Sequence, residues 1–447
     1  MIKRLSVAFY QGVSFKTRKE RAMRLLHLAD LHLDSPFLGM DKQSADLKQA
    51  LVQAPFTALK KAVQYAIRET IDLVVLAGDL YDTNQQSIYA QHFLMQELKR
   101  LADAEIPVVL CHGNHDYLKS NQALINYPNN VYVFTEEAVD YVDIELKNGE
   151  SVRIYGFSYC NRWIDREMLA DFPKNPHQTD FVIGLYHGAQ KTQQGTLDHY
   201  APFTRQSMID KGYDYWALGH IHQEACLNQT PMICYAGTLQ GRNRLEVGPK
   251  GGYLVSLFKD RPNRLDFVEF APIEWQIEEI EVQRHWQLQD VVESLQQTLT
   301  VYQMRQEETG RSQLLSIILT QAQRLDLALQ EQIESGELES VIQGEGSVSD
   351  QAFTQLVAVR LERSMVFKAF EYDSTLKESF QSACHQLESG EMYDRRMADF
   401  FKHPIVKERL AELELEESLR AENVAAAKEL MIQAIGFDSE EVKRDEN

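Results

Sequence analysis

Leu73-Val74-Val75-Leu76-Ala77-Gly78-Asp79-Leu80-Tyr81-Asp82 joins an unbroken apolar run to a glycine and two carboxylates. Five consecutive apolar residues lack the polar alternation of a half-wet strand, so 73–77 predict a strand covered on both faces. A glycine and two carboxylates follow at once. Polar groups placed there are aimed by a rigid sheet into a cleft at its strand ends. Four other apolar runs end the same way. Residues 25–29 precede Asp30-Leu31-His32, and 107–111 precede Gly113-Asn114-His115-Asp116. Residues 181–186 precede His187-Gly188, and 215–218 precede Gly219-His220-Ile221-His222.

Working outward, helical spacing covers 44–70, with Pro55 expected to kink or split it, and 88–104. This βαβαβ opening implies parallel strands with right-handed crossovers. Residues 131–134, 141–146 and 151–157 alternate like antiparallel strands, and Asn148-Gly149 is a hairpin signal. Further strands are expected at 233–235, 252–258 and 265–270, and helices at 166–172 and 205–211. The pattern predicts two sheets packed face to face with helices outside. After Pro272 the composition shifts, and 275–282, 288–303, 314–320, 325–333 and 356–361 read as a small α/β unit. Residues 374–436 read as charged helix. Residues 1–22 are basic and read as a poorly ordered extension before a natural start at Met23, or as a DNA-binding arm.

Bulk properties restrict the function classes. The chain has 447 residues and a formal net charge of −20, whereas proteins that grip nucleic acid by bulk electrostatics are usually basic. No apolar run spans a bilayer, so no membrane association is expected. Five cysteines without a CxxC pair argue against a disulfide framework and suit a reducing cytoplasm.

The strand-end clusters carry the chemistry. In Asp30-x-His32, side chains two apart on extended backbone point the same way and reach one cation, and His220-x-His222 is expected to do likewise. Asp79 can bridge two cations, Asn114 offers a carbonyl oxygen and His187 an imidazole. Seven such donors exceed one tetrahedral site and suit two divalent cations about 3.5–4 Å apart. Mixed imidazole and carboxylate donors favour Mn, Fe or Zn. Such a pair holds phosphodiester oxygens and acidifies water. His115 is placed to protonate a leaving oxygen, with Asp116 or another carboxylate holding its ring. Asp82 either caps the next turn or supports a ligand. Arg162, Arg166, Arg242 and Arg244 either contact phosphates or are solvated loop charges.

In this order, D-x-H, G-D-x-x-D, G-N-H-D, H-G and G-H-x-H resemble the signature of the calcineurin-like metallophosphoesterases, over residues 24 to about 269. LADLHLDSPF (28–37), ALGHIH (217–222), YAGTLQGR (235–242) and KGGY (250–253) resemble the SbcD-type DNA repair nucleases and their YhaO-type subgroup. The resemblance implies a four-layered αββα fold over 23–271, a cap over 272–364 and a helical C-terminal tail over 365–447 that docks on an SbcC-like coiled-coil ATPase. It implies one metal on Asp30, His32, Asp79 and His222, and another on Asp79, Asn114, His187 and His220. It implies His115 as catalytic acid, Mn-dependent DNA cleavage, and a homodimer through helices, for which 87–104 and 120–127 are the candidate surfaces. The competing readings are a phosphodiesterase or phosphatase acting on nucleotides or phosphoproteins, and a non-catalytic assembly subunit.

Overall fold

A computed structural model describes residues 22–35, 37, 44–82, 87–118, 126–191, 199–343 and 352–362, with isolated positions at 382–383, 385–387, 393, 396, 424 and 427. The basic extension before Ala22, the candidate surface over 120–125 and nearly all of the 365–447 tail lie outside the described residues. The elements run β1 (Met23–Leu28), α1 (Ala45–Arg68), β2 (Leu73–Ala77), α2 (Ile88–Asp103), β3 (Val108–Cys111), β4 (Val131–Val133), β5 (Asp140–Glu145), β6 (Ser151–Gly156), β7 (Phe181–His187) and α3 (Arg205–Ile209). They continue with β8 (Tyr215–Gly219), β9 (Ala225–Gln229), β10 (Met232–Tyr235), β11 (Gly251–Leu257), β12 (Arg264–Glu269) and β13 (Ile273–Glu281). Last come α4 (Leu288–Thr309), β14 (Ser312–Thr320), α5 (Leu327–Glu334), α6 (Glu337–Gln343) and β15 (Thr354–Leu361).

Two six-stranded sheets form the body, in the orders β12-β11-β1-β2-β3-β4 and β5-β6-β7-β8-β10-β9. The continuous apolar reading of 73–77 is explained by its neighbours. The even positions Val74 and Leu76 face α1 and α2, among Leu59, Val63, Leu94 and Leu98. The odd positions Leu73, Val75 and Ala77 face the second sheet, among Ile154, Ile183 and Leu185. The second sheet's outer face packs Trp216, Tyr186 and Val182 against Phe172, Met168 and Met208. These three cores separate four layers, αββα.

Two expectations are refined. Pro55 does not split α1, which runs over 24 residues and is anchored by a buried stripe including Leu47, Leu51, Phe56, Leu59 and Val63. β4 pairs parallel with β3 in the first sheet, whereas β5 and β6 form the expected antiparallel hairpin in the second. Alternation in three short residues does not distinguish the two pairings.

After Pro272, β13, β14 and β15 form a separate parallel sheet whose core includes residues of α4, α5 and α6. Ile273, Trp275 and Leu314 of this sheet also pack on Leu47, Leu51 and Ala54 of α1. No described helix is long and apolar enough to cross a membrane.

His27 on β1 joins the two sheets: its Nδ1 lies 2.8 Å from the Tyr215 hydroxyl on β8. Burial drives its pKa down from 6.5 to about 3. The unfolded chain therefore takes up a proton below about pH 6.5 that the folded chain refuses until about pH 3. The contribution to stability is full above pH 6.5 and is lost as pH falls. Between pH 6 and pH 4, urea denaturation should show wild type losing about 1.4 kcal/mol per pH unit more than His27→Gln. Parallel profiles for the two proteins would contradict the assignment.

Candidate metal centre

β1, β2 and β3 are parallel in one sheet, and β7 and β8 are parallel in the other. Their C-terminal ends bring all five polar clusters into one cleft. The loops are tied together there: Asp30 N donates to Gly78 O at 3.1 Å, and His220 N donates to the Asp30 carboxylate at 3.0 Å. His115 N donates to Asp79 Oδ1 at 2.9 Å. Gly78 has φ +85°, and a Cβ there would lie 2.4 Å from His187 Nδ1. Gly219 allows close approach, since a Cβ there would lie 1.9 Å from the Ala77 carbonyl oxygen.

The extended backbone expected at the ligand loops is not what the structure holds. Asp30 (φ 48°), His32 (φ 42°), Asp79 (φ 49°) and His220 (φ 100°) all lie at positive φ. Such conformations cost of order 1–3 kcal/mol each and gather where geometry serves function. His220 and His222 do not share a partner set. His222 gathers with Asp30 and His32, while His220 gathers with Asp79 and His187.

The first cluster is Asp30, His32 and His222, with donor atoms within 4.8 Å of one another. His32 Nε2 and His222 Nε2 face each other at 3.1 Å. In the second, Asn114 Oδ1 lies 2.9 Å from His187 Nε2 and 3.0 Å from His220 Nδ1. Asp79 stands between the clusters, its Oδ2 being 3.4 Å from His187 Nε2 and 3.9 Å from His32 Nε2.

Outer partners orient these rings. Asp82 Oδ1 lies 3.1 Å from His32 Nδ1, Glu246 Oε1 2.9 Å from His222 Nδ1, and the Ala77 carbonyl oxygen 2.8 Å from His187 Nδ1. Carboxylates and carbonyls on the far nitrogen fix the ring and leave the near nitrogen as a donor to a cation. The Nε2 atoms of His32 and His222 thus converge at 3.1 Å beside the Asp30 carboxylate, and this donor set suits a divalent cation.

The electrostatics agree. Burial pushes the Asp30 carboxyl up to about 7, against the pull of His187 and His222. Burial also opposes charge on Asp79, yet His187 and His115 outweigh it and hold its carboxyl well below the usual range. Burial would lower His187, but Asp79 lifts it to about 9. Burial, reinforced by Arg242, lowers His32 to about 3. Burial and His187 lower His220 well below its ordinary value.

The Asp116 carboxylate accepts from Leu80 N and Gly113 N and pairs with His112 Nδ1, holding the loop together. The acceptor beside His115 Nδ1 is the Asp82 carbonyl oxygen at 2.9 Å. Arg242 is buried and directed inward, 2.5 Å from Asp82 Oδ1, so its guanidinium holds the residue that orients His32. Arg244 is half-buried, and burial together with Arg360 on β15 lowers its pKa to about 10. Arg162 and Arg166 sit in the loop after β6; Arg166 pairs with Asp171.

Glu246 was missed. Nothing in the sequence marks a lone glutamate 24 positions beyond His222, and its spacing by four from Arg242 falls in non-helical backbone. Its Oε2 also accepts from Arg242 N at 2.7 Å. Glu246→Gln should weaken divalent-metal affinity by about 10–100-fold, read by calorimetric titration, with the fold unchanged by circular dichroism. Unaltered affinity would remove Glu246 from this role.

Fold and site together define a metal-binding phosphoesterase centre built on strand ends. Residues 23–224 match the calcineurin-like phosphoesterase family, and this part of the chain is a calcineurin-like metallophosphoesterase domain. The chain is similar to the uncharacterized metallophosphoesterase YhaO of Bacillus subtilis (strain 168), with 36% identity over 234 residues, 52% of this chain and 57% of that protein. It is similar to the DNA double-strand break repair protein Mre11 of Sulfolobus acidocaldarius, with 26% identity over 255 residues, 54% of this chain and 62% of that protein. Mre11 of Methanococcus maripaludis is 30% identical over 259 residues, 53% of this chain and 64% of that protein. The chain thus spans less than two thirds of the length of these relatives.

Proposed function

We propose that the chain is a two-metal phosphodiesterase that cleaves DNA, with Mn as the working metal. Asp30, His32, Asp79 and His222 hold one cation and Asp79, Asn114, His187 and His220 the other. Bound there, a pair of divalent cations neutralises phosphate oxygens and lowers the pKa of water. The observation that carries the reading is the placement of Asp79 between two donor clusters, within 3.9 Å of a ring nitrogen of each.

The chain's own residues do the rest. His115 is half-buried, its side chain 30% accessible. Its Nδ1 donates to the Asp82 carbonyl oxygen, which leaves Nε2 as the atom that can hand a proton to a departing oxygen. As water attacks phosphorus, that proton passes to the departing oxygen. Asp82 ties this acid to His32 through one residue: its carbonyl holds His115 and its carboxylate His32.

DNA as substrate is supported by the similarity to Mre11 proteins, and the extra chain beyond the phosphoesterase domain suits a nuclease subunit. In this reading 272–364 is a cap, 365–447 docks an SbcC-like ATPase, and the acidic chain borrows DNA affinity from that partner. The chain works as a homodimer in the cytoplasm. The test offers the Mn-loaded protein linear duplex DNA, single-stranded DNA and bis-p-nitrophenyl phosphate. DNA cleavage supports the nuclease. Turnover of the small ester alone favours a nucleotide or phosphoprotein enzyme.

A further inference from the structure

Cys226 on β9 and Cys234 on β10 oppose each other across the antiparallel hairpin at the edge of the second sheet. Their sulfurs lie 3.2 Å apart, with the Cys234 thiol donating to Cys226 Sγ. The Cys226 thiol donates in turn to the Asn228 carbonyl at 3.1 Å. Both are free thiols, Cys234 buried and Cys226 half-exposed on the edge strand. The register shifts by a bulge between Ile233 and Cys234, and just beyond it Cys234 pairs directly with Cys226. The sulfurs need to close by only about 1 Å to bond. The hydrogen bond from Cys234 holds the Cys226 thiol down to about 7, against burial. The accessible sulfur is therefore also the more readily ionised one.

We propose that Cys226 and Cys234 form a reversible dithiol–disulfide site that takes low-molecular-weight disulfides as oxidant. Cys226 thiolate attacks one sulfur of the reagent, the reagent's S–S bond breaks, and one thiolate leaves. Cys234 sulfur then attacks the Cys226 sulfur of the mixed disulfide and expels the second thiolate. The two protons lost by the cysteines go to the two leaving thiolates. The cysteine pair is oxidised by two electrons and the reagent is reduced to two thiols. A buried pair that merely packs would have both sulfurs shielded, whereas here the attacking sulfur is on the sheet edge.

The hairpin flanks the metal centre. β9 starts three residues after His222, and β10 runs into Thr238. Thr238 N donates to His222 O at 2.9 Å, and its hydroxyl donates to Asp30 O at 2.9 Å. A staple across β9 and β10 thus fixes both flanks of the loop that carries His222.

The full-length protein is incubated with oxidised glutathione, alkylated and peptide-mapped without reduction. The expected product is a Cys226–Cys234 cross-linked peptide with two titratable thiols lost, reversed by dithiothreitol, and a thermal midpoint raised by a few degrees. Cys234→Ala should stop at a glutathione adduct on Cys226, and Cys160→Ser should still lose two thiols. A stable adduct on Cys226 in the wild type, or a bond linking other cysteines, would overturn the proposal.

Discussion

Asp79→Asn should abolish uptake of both cations at once. Removing the charge on the one carboxylate between the clusters leaves His187 without its 3.4 Å partner and His32 without its 3.9 Å one. The amide keeps the shape, and its position still lies beside His115 N, so the loop is preserved. Affinity should fall by more than about a hundredfold, beyond the range for outer partners, and ester hydrolysis should drop to background. Elemental analysis of the purified variant reads the stoichiometry, with circular dichroism confirming the fold. A variant that keeps one full equivalent at wild-type affinity would show that the clusters are independent.

The second large effect separates acid catalysis from metal binding. His115→Ala should retain wild-type metal content, because the first and second clusters gather without it. If the proposed nuclease reading holds, cleavage of DNA should fall by about 10²–10⁴-fold, the usual range for a positioned general acid. Bis-p-nitrophenyl phosphate should suffer much less, since nitrophenolate leaves without a proton whereas a deoxyribose oxygen does not. Equal losses on both substrates would assign His115 to substrate positioning.

Much of this architecture is legible in the residues. An unbroken apolar run such as Leu73–Ala77 reports burial on both faces, and the structure places helices on one side and the second sheet on the other. The strand ends mark the cleft because parallel strands share a direction, so Asp79 and His187 meet from different sheets. What escaped was tertiary. The positive φ of Asp30, His32 and His220 is imposed by packing on neighbouring loops, and no local signal of glycine type announces it. The division of His220 and His222 between clusters is invisible to local spacing, although the family resemblance already implies it. Glu246 acts through a loop folded back from beyond β10. That loop is pinned by Gly248 N donating to Trp275 O and Trp275 Nε1 donating to Gly241 O, each at 2.9 Å. For Arg242 the sequence left phosphate contact and solvated loop charge open, because burial is invisible in sequence; its partner Asp82 lies 160 residues away.

Anomalous diffraction from crystals of the full chain soaked in Mn decides whether Asp79 joins two cations. Two peaks are expected, one within bonding distance of Asp30, His32 and His222, the other of Asn114, His187 and His220, with Asp79 touching both. A single peak, or two peaks not joined by Asp79, would contradict the two-metal reading.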